Sequence, residues 1–151
     1  MAPQQTEAVA VAAPPPPAPI SLTCAYDGEA VSAPAEALRW FGVLHRWRED
    51  ALGSDDPLPP LPATAAPLTL LLALLQAAPP RAAAAAWLAE HAAAPGSLPL
   101  MHVLLVADAL DAPRETIWAS AEATALALLH EGRHDAEASA TNQQRRFTWA
   151  A

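Results

Sequence analysis

The sharpest chemical pattern in the chain is His130-Glu131-Gly132-Arg133-His134, a literal H-E-x-x-H. On a helix, histidines four residues apart share a face and can hold one zinc ion, with the intervening glutamate as general base for water attack. Gly132 lies inside the motif, where a long apolar pattern gives way to polar sequence, so the expected helix ends there. His45, His91 and His102 upstream, and Asp135 and Glu137 downstream, form no third-ligand arrangement typical of a metalloprotease. The better account is a solvated helix terminus, with a zinc hydrolase at His130, Glu131 and His134 as a remote alternative. No Gly-rich phosphate loop, G-x-S-x-G or C-x-x-C occurs, and the carboxylates are scattered. The chain reads as a protein that works by binding, with no catalytic residue, no metal ligand and no cofactor expected.

The elements that would position a binding surface centre on Ser97 to Leu129. From Leu98 to Leu110 the only polar side chains are His102 and Asp108. Such a helix is expected to be packed on several sides, with Ser97 as its cap and Pro99 in its first turn. Asp111 and Pro113 end it and start the next, where Ile117, Trp118, Ala121, Ala125, Leu128 and Leu129 recur at helical spacing and are expected to lean on the first.

Toward the N-terminus, Met1 to Pro19 is an Ala/Pro-rich stretch containing Pro14-Pro15-Pro16-Pro17, read as a disordered tail with no convincing targeting signal. Ile20, Leu22, Cys24 and Tyr26 alternate with Ser21, Thr23 and Ala25, the period of a half-buried strand. Asp27-Gly28 then predicts a tight turn with two positive φ values, and Glu29 to Ser32 the return strand. Cys24 is expected as a small core residue. One helix is expected from about Pro34 to Leu52, with Trp40, Val43, Leu44 and Trp47 inward and Gly53 as its stop. Ser54 to Pro62 is extended because each proline disfavours helix before it. A third helix is capped by Thr64 and buries Leu68, Leu71, Leu72 and Leu75. An alanine-rich fourth runs from Arg81 to Ala94 and stops at Pro95-Gly96, with Trp87 and Leu88 as anchors.

At 151 residues the chain suits one domain with a sizeable core. Its formal charge of −8 argues against nonspecific binding to nucleic acid or an anionic membrane. All 8 basic residues are arginine. The single cysteine excludes an internal disulfide and fits a reducing compartment. The Leu-rich run from Leu68 to Ala78 is too short to span a bilayer, which needs about 20 apolar residues.

The order of these pieces resembles the BTB/POZ fold: strand, Asp-Gly turn, strand, helix, acidic loop running into prolines, Leu-rich helix, Trp-bearing helix, apolar helix ending in Leu-Asp. Within it, local matches resemble the S-phase kinase-associated protein 1 (Skp) family. ISLTCAYDGEAV is similar to the opening hairpin, and Asp55-Asp56-Pro57-Leu58-Pro59 to the acidic loop and proline-rich strand. LMHVLLVADALD is similar to the pivotal helix, and RETIWASAEATALALLHEG to the one after it. ATNQQRRFT, with Asn142, Phe147 and Thr148, is similar to the ending. The resemblance runs from about Ile20 to Thr148.

It implies an α+β chain, with a BTB/POZ-like domain over 20–111 and F-box-binding helices over 112–151. The sequence stops short of the family's last helix. It further implies a noncatalytic adaptor, cytoplasmic or nuclear, that bridges F-box proteins to a cullin in a ubiquitin ligase. The implied F-box side is Met101, Leu104 and Leu105 on the pivotal helix with Thr116, Ser120 and Ala123 on the next. The implied cullin side is Asp108 and Ala109, where the family has an Asn-Tyr pair. A decoy that holds F-box proteins without a cullin suits that change. A self-associating BTB module, its apolar surface covered by a copy of itself, is the alternative from another class.

Overall fold

The computed structural model describes residues 14–51 and 57–149. Most of the proline-rich N-terminal stretch, Gly53 and the Asp55-Asp56 pair lie outside the described residues. The described chain is α+β, a two-stranded antiparallel hairpin followed by six helices.

The hairpin pairs β1 (Ile20–Thr23) with β2 (Ala30–Ala33), placing Leu22 opposite Val31 and Thr23 opposite Ala30. Leu22 and Cys24 point inward as their alternation requires. The turn differs from the expectation. The Cys24 N–H donates to the Glu29 carbonyl at 2.8 Å, so four residues, Ala25 to Gly28, form the loop. Only Gly28 there has positive φ, and Tyr26 lies 72% exposed instead of inward. The reason is Asp27: its carboxylate accepts the Glu29 N–H at 3.0 Å, an Asx turn that a two-residue loop would not form. The proline-rich segment then passes beside β1, and Leu61 and Thr23–Ala25 exchange backbone hydrogen bonds as a single parallel bridge.

The expected single helix after the hairpin is two. α1 (Ala37–Trp40) and α2 (Gly42–Asp50) are separated by Phe41, whose extended backbone breaks the helix. The break turns Phe41, absent from the predicted stripe, fully into the core beside Leu44, while Trp40, Val43 and Trp47 are half-buried. α3 (Ala65–Ala77) buries Leu68, Leu71, Leu72 and Leu74, and α4 (Arg81–His91) buries Ala84, Ala85 and Leu88. α5 is Ser97–Ala109 and α6 is Arg114–Trp149. One contiguous cluster of buried side chains runs from Leu22 in β1 to Ala123 in α6. Hairpin and helices share this core.

The corner between α5 and α6 is a Schellman closure. The Ala112 N–H reaches the Ala107 carbonyl at 2.9 Å, and the Asp111 N–H reaches that of Asp108 at 3.1 Å. Asp111 takes the left-handed conformation, φ 55°, that glycine usually supplies there. The same corner starts α2: the carbonyls of Asp111 and Leu110 accept the N–H groups of Gly42 and Val43.

α6 departs most from expectation. It continues through Gly132 to Trp149, 36 residues and about 54 Å at 1.5 Å per residue. Its inward face is not the large apolar stripe. Thr116, Ala119, Ser120, Ala123 and Thr124 are buried, and α6 packs along α5 and α4 on this side. Small side chains let the helices approach closely. The hydroxyls are satisfied within the helix, Ser120 donating to the Thr116 carbonyl at 2.8 Å and Thr124 to that of Ser120 at 2.7 Å. Trp118, Leu128 and Leu129, expected inward, face outward with Leu126.

Candidate functional site

Two outward apolar faces stand out. Along α5, Leu98, His102, Leu105 and Ala109 recur at helical spacing and are exposed, Leu98 and Leu105 at 59% each. The expectation of a helix packed all round is therefore corrected. Leu100, Val103, Val106, Ala107 and Leu110 are buried, and the opposite side is open. Along α6, Trp118 (60% exposed), Leu126, Leu128 and Leu129 (64%) form the second face. The Arg81 guanidinium lies 5.8 Å from the Trp118 ring centroid, a cation–π distance that steadies the indole. Exposed apolar side chains grouped in this way make both faces candidate docking surfaces.

A groove of about 760 Å³ borders α5 on its α3 and α4 side. Leu70, Trp87, Leu98 and Val103 give it apolar walls, with Glu29 and His91 at the margin. Pro67 and His102 are shared with a second hollow of about 400 Å³, lined by Tyr26, Pro62, Leu105 and Ala109. Trp87 is held by stacking on His91, centroids 3.9 Å apart. The exposed Tyr26 thus stands beside the C-terminal end of α5.

The residues implied for partner binding separate into two groups. Met101 and Leu104 are half-buried, and Leu105 is exposed on the open side of α5. Asp108 and Ala109 are exposed at the end of that helix, and Ala109 borders the smaller hollow. Thr116, Ser120 and Ala123 are 7%, 0% and 2% exposed, enclosed under α5 and α4, and present no surface. The signal that could have found the α6 face was there: Thr116, Ser120 and Thr124, with Ala119 and Ala123 between them, make a small-residue stripe that mirrors the apolar one.

The H-E-x-x-H residues also change role. Because α6 continues through Gly132, His130 and His134 do share a face. Their Nε2 atoms are 3.0 Å apart and their rings meet edge to face. Glu131 points elsewhere. One carboxylate oxygen accepts the Ser97 N–H at 2.7 Å and the other accepts the Ser97 hydroxyl proton at 2.8 Å. These bonds to the charged form hold the Glu131 carboxyl below its usual range. Ser97, predicted as a cap, makes no cap of its own. Among the described residues, no group of three or more His, Cys, Asp and Glu side chains is placed to hold a metal ion.

Asp27 works the same way. Beyond closing its own turn, it accepts the Ala65 N–H at 2.7 Å, capping α3 where Thr64 does not. Those backbone bonds depress its pKa. Cys24 is buried beneath the turn, and burial, with the nearby charges of Asp27 and Glu29, pushes its thiol upward. It is a core residue and a poor nucleophile.

Among the described residues no helix is long and apolar enough to cross a membrane. Comparison with known protein families, curated proteins and solved structures finds no match.

Proposed function

We propose that this chain is a noncatalytic adaptor of the Skp type, holding an F-box segment on the open faces of α5 and α6. The observation that carries the proposal is the outward placement of large apolar side chains on both helices. An exposed Trp with three exposed leucines on one helix is stable in water when a partner covers it. The element order supports the same reading: hairpin, helix, extended proline-rich segment against β1, Leu-rich α3, Trp-bearing α4, pivotal α5. In this proposal Met101, Leu104 and Leu105 receive the F-box segment from α5. On α6 the contact moves from the enclosed Thr116, Ser120 and Ala123 to Trp118, Leu128 and Leu129.

The cullin edge would be the end of α5 at Asp108 and Ala109, beside Tyr26 and Leu105. An acidic residue followed by alanine leaves that edge without an aromatic anchor, the residue type that dominates many interfaces. This favours the decoy form of the proposal, in which F-box proteins are held and the cullin is not recruited.

The test is a pull-down with the full chain as bait, probed for an F-box protein and a cullin, beside an Asp108→Asn, Ala109→Tyr variant. Capture of both partners by the native chain establishes a complete adaptor. F-box capture alone, with the cullin gained by the double variant, establishes the decoy. Capture of neither by either chain overturns the proposal. A homo-oligomer on sizing that Trp118→Arg dissolves would then assign the α6 face to self-association.

A further inference from the structure

We infer that His130 and His134 form a bidentate anchoring site for a divalent transition metal on the outer surface of α6. The inference is independent of the adaptor reading. Helical spacing of four puts both imidazoles on one face, and the structure sets their Nε2 atoms 3.0 Å apart. Two nitrogens each about 2.0–2.1 Å from one metal and at right angles to each other are separated by about 2.8–3.0 Å. The pair therefore has the bite of two adjacent positions in square-planar or octahedral coordination, which suits Cu²⁺ and Ni²⁺; a tetrahedral Zn²⁺ would need them slightly wider. In the metal-free protein the same spacing lets one neutral ring donate its Nε2–H to the other. Metal binding takes both rings in the tautomer that carries the proton on Nδ1, leaving both Nε2 lone pairs for the ion.

The site anchors a metal and does not activate water for hydrolysis. The glutamate that would act as base in an H-E-x-x-H enzyme, Glu131, has both oxygens bound to Ser97. Both histidines are exposed, so the remaining coordination positions are open to water.

The location gives the site a consequence. Glu131 has a partly buried side chain, and from Gly132 to Arg146 every residue is exposed. Gly132, a weak helix former, stands between the two ligands. Joining residues 130 and 134 across one helical turn fixes the segment where α6 leaves the packed body. Metal binding thus stiffens the projecting half of the helix.

The test is calorimetric titration of the full chain with NiCl₂ and with CuCl₂ in a non-coordinating buffer, alongside His130→Ala, His134→Ala and His102→Ala. The second imidazole binds intramolecularly, so either ligand variant is expected to lose roughly a hundredfold in affinity, with one metal per native chain. His102→Ala is expected to bind as the native chain does. Circular dichroism melting should show the metal raising helix stability in the native chain and in neither ligand variant. Equal metal affinity in the native chain, His130→Ala and His134→Ala overturns the inference, as does binding lost with His102→Ala.

Discussion

Glu131 on α6 closes the N-terminus of α5 by taking both the backbone N–H and the hydroxyl of Ser97, 34 residues away in sequence. A helix N-terminus carries unpaired N–H groups and a partial positive charge, so a carboxylate there satisfies donors and dipole together. Gly96, at φ 109°, brings the backbone so near that an added Cβ would lie 2.9 Å from the Glu131 carboxylate. Asp27 does the equivalent for α3 from the hairpin turn. Each contact ties a helix start to an element distant in sequence, and together they lock both ends of the fold.

Both carboxylates make stability depend on pH in one direction. Their pKa values are lowered in the folded state, so the stabilisation is complete above the ordinary carboxylate values, 4.5 for Glu131 and 3.8 for Asp27. It is lost as pH falls through the lower folded values. Urea midpoints measured from pH 7 to pH 3 should fall on acidification in the native chain. Glu131→Gln and Asp27→Asn should each start lower at pH 7 and fall less steeply. Parallel curves for native and variant proteins would refute the capping roles.

Gly42 is fixed by its neighbour Asp111. A Cβ at position 42 would run into the Asp111 carboxylate, which also pairs with Arg46 at 3.0 Å. Gly42→Ala must push that carboxylate aside, and is expected to cost about 1–2 kcal/mol in urea unfolding. Asp111→Gly removes the obstacle and relieves the left-handed backbone, while losing an exposed ion pair of small worth. The double variant should therefore be more stable than the sum of the single effects. Additive effects would remove the contact as the reason for glycine at 42.

The hairpin, the helix starts near Pro80 and Ser97, and the Asp111 corner were legible because turn and breaker residues act locally. What local pattern could not supply was direction. The α6 sequence has an apolar stripe and a small-residue stripe on opposite sides, and periodicity does not say which one faces the core. Close approach of α5 and α4 selects Ala119, Ser120 and Ala123 over Trp118 and Leu129. The helix caps differ from expectation for a similar reason. Thr64 and Ser97 are good cap residues by type, yet neither side chain caps its helix, and carboxylates from remote segments accept the Ala65 and Ser97 N–H groups. The break at Phe41 has no proline or glycine before it; burial of the phenyl ring wins over helix continuity.

Two swaps between glycine and alanine in opposite senses should both stabilise. Ala78 ends α3 at φ 43°, a conformation that disfavours any side chain, and Pro79 follows it. Ala78→Gly should add about 0.5–1 kcal/mol. Gly132 lies within α6, and nothing stands within 4 Å of an added Cβ. Gly132→Ala should add a similar amount, about 0.5–1 kcal/mol. Thermal melting of each variant checks the sign; a lower midpoint for Ala78→Gly would contradict the left-handed cap.

The two faces of α6 should respond oppositely to substitution. Outward residues contribute little to the fold of the isolated chain, so Trp118→Ser and Leu129→Ser should change unfolding free energy by no more than about 0.5 kcal/mol. The same changes should weaken capture of whatever partner covers that face. Inward, Ser120 and Ala123 are fully packed, and Ala123→Leu forces three extra heavy atoms into a closed seam, costing about 1–3 kcal/mol. Ser120→Ala should be nearly neutral, because its hydroxyl partner, the Thr116 carbonyl, keeps its place in the helix ladder. Chemical denaturation of the four variants decides the orientation of α6. Strong destabilisation by Trp118→Ser with tolerance of Ala123→Leu would mean that the helix presents its other face to the core, and the α6 docking surface would move to Thr116, Ser120 and Ala123.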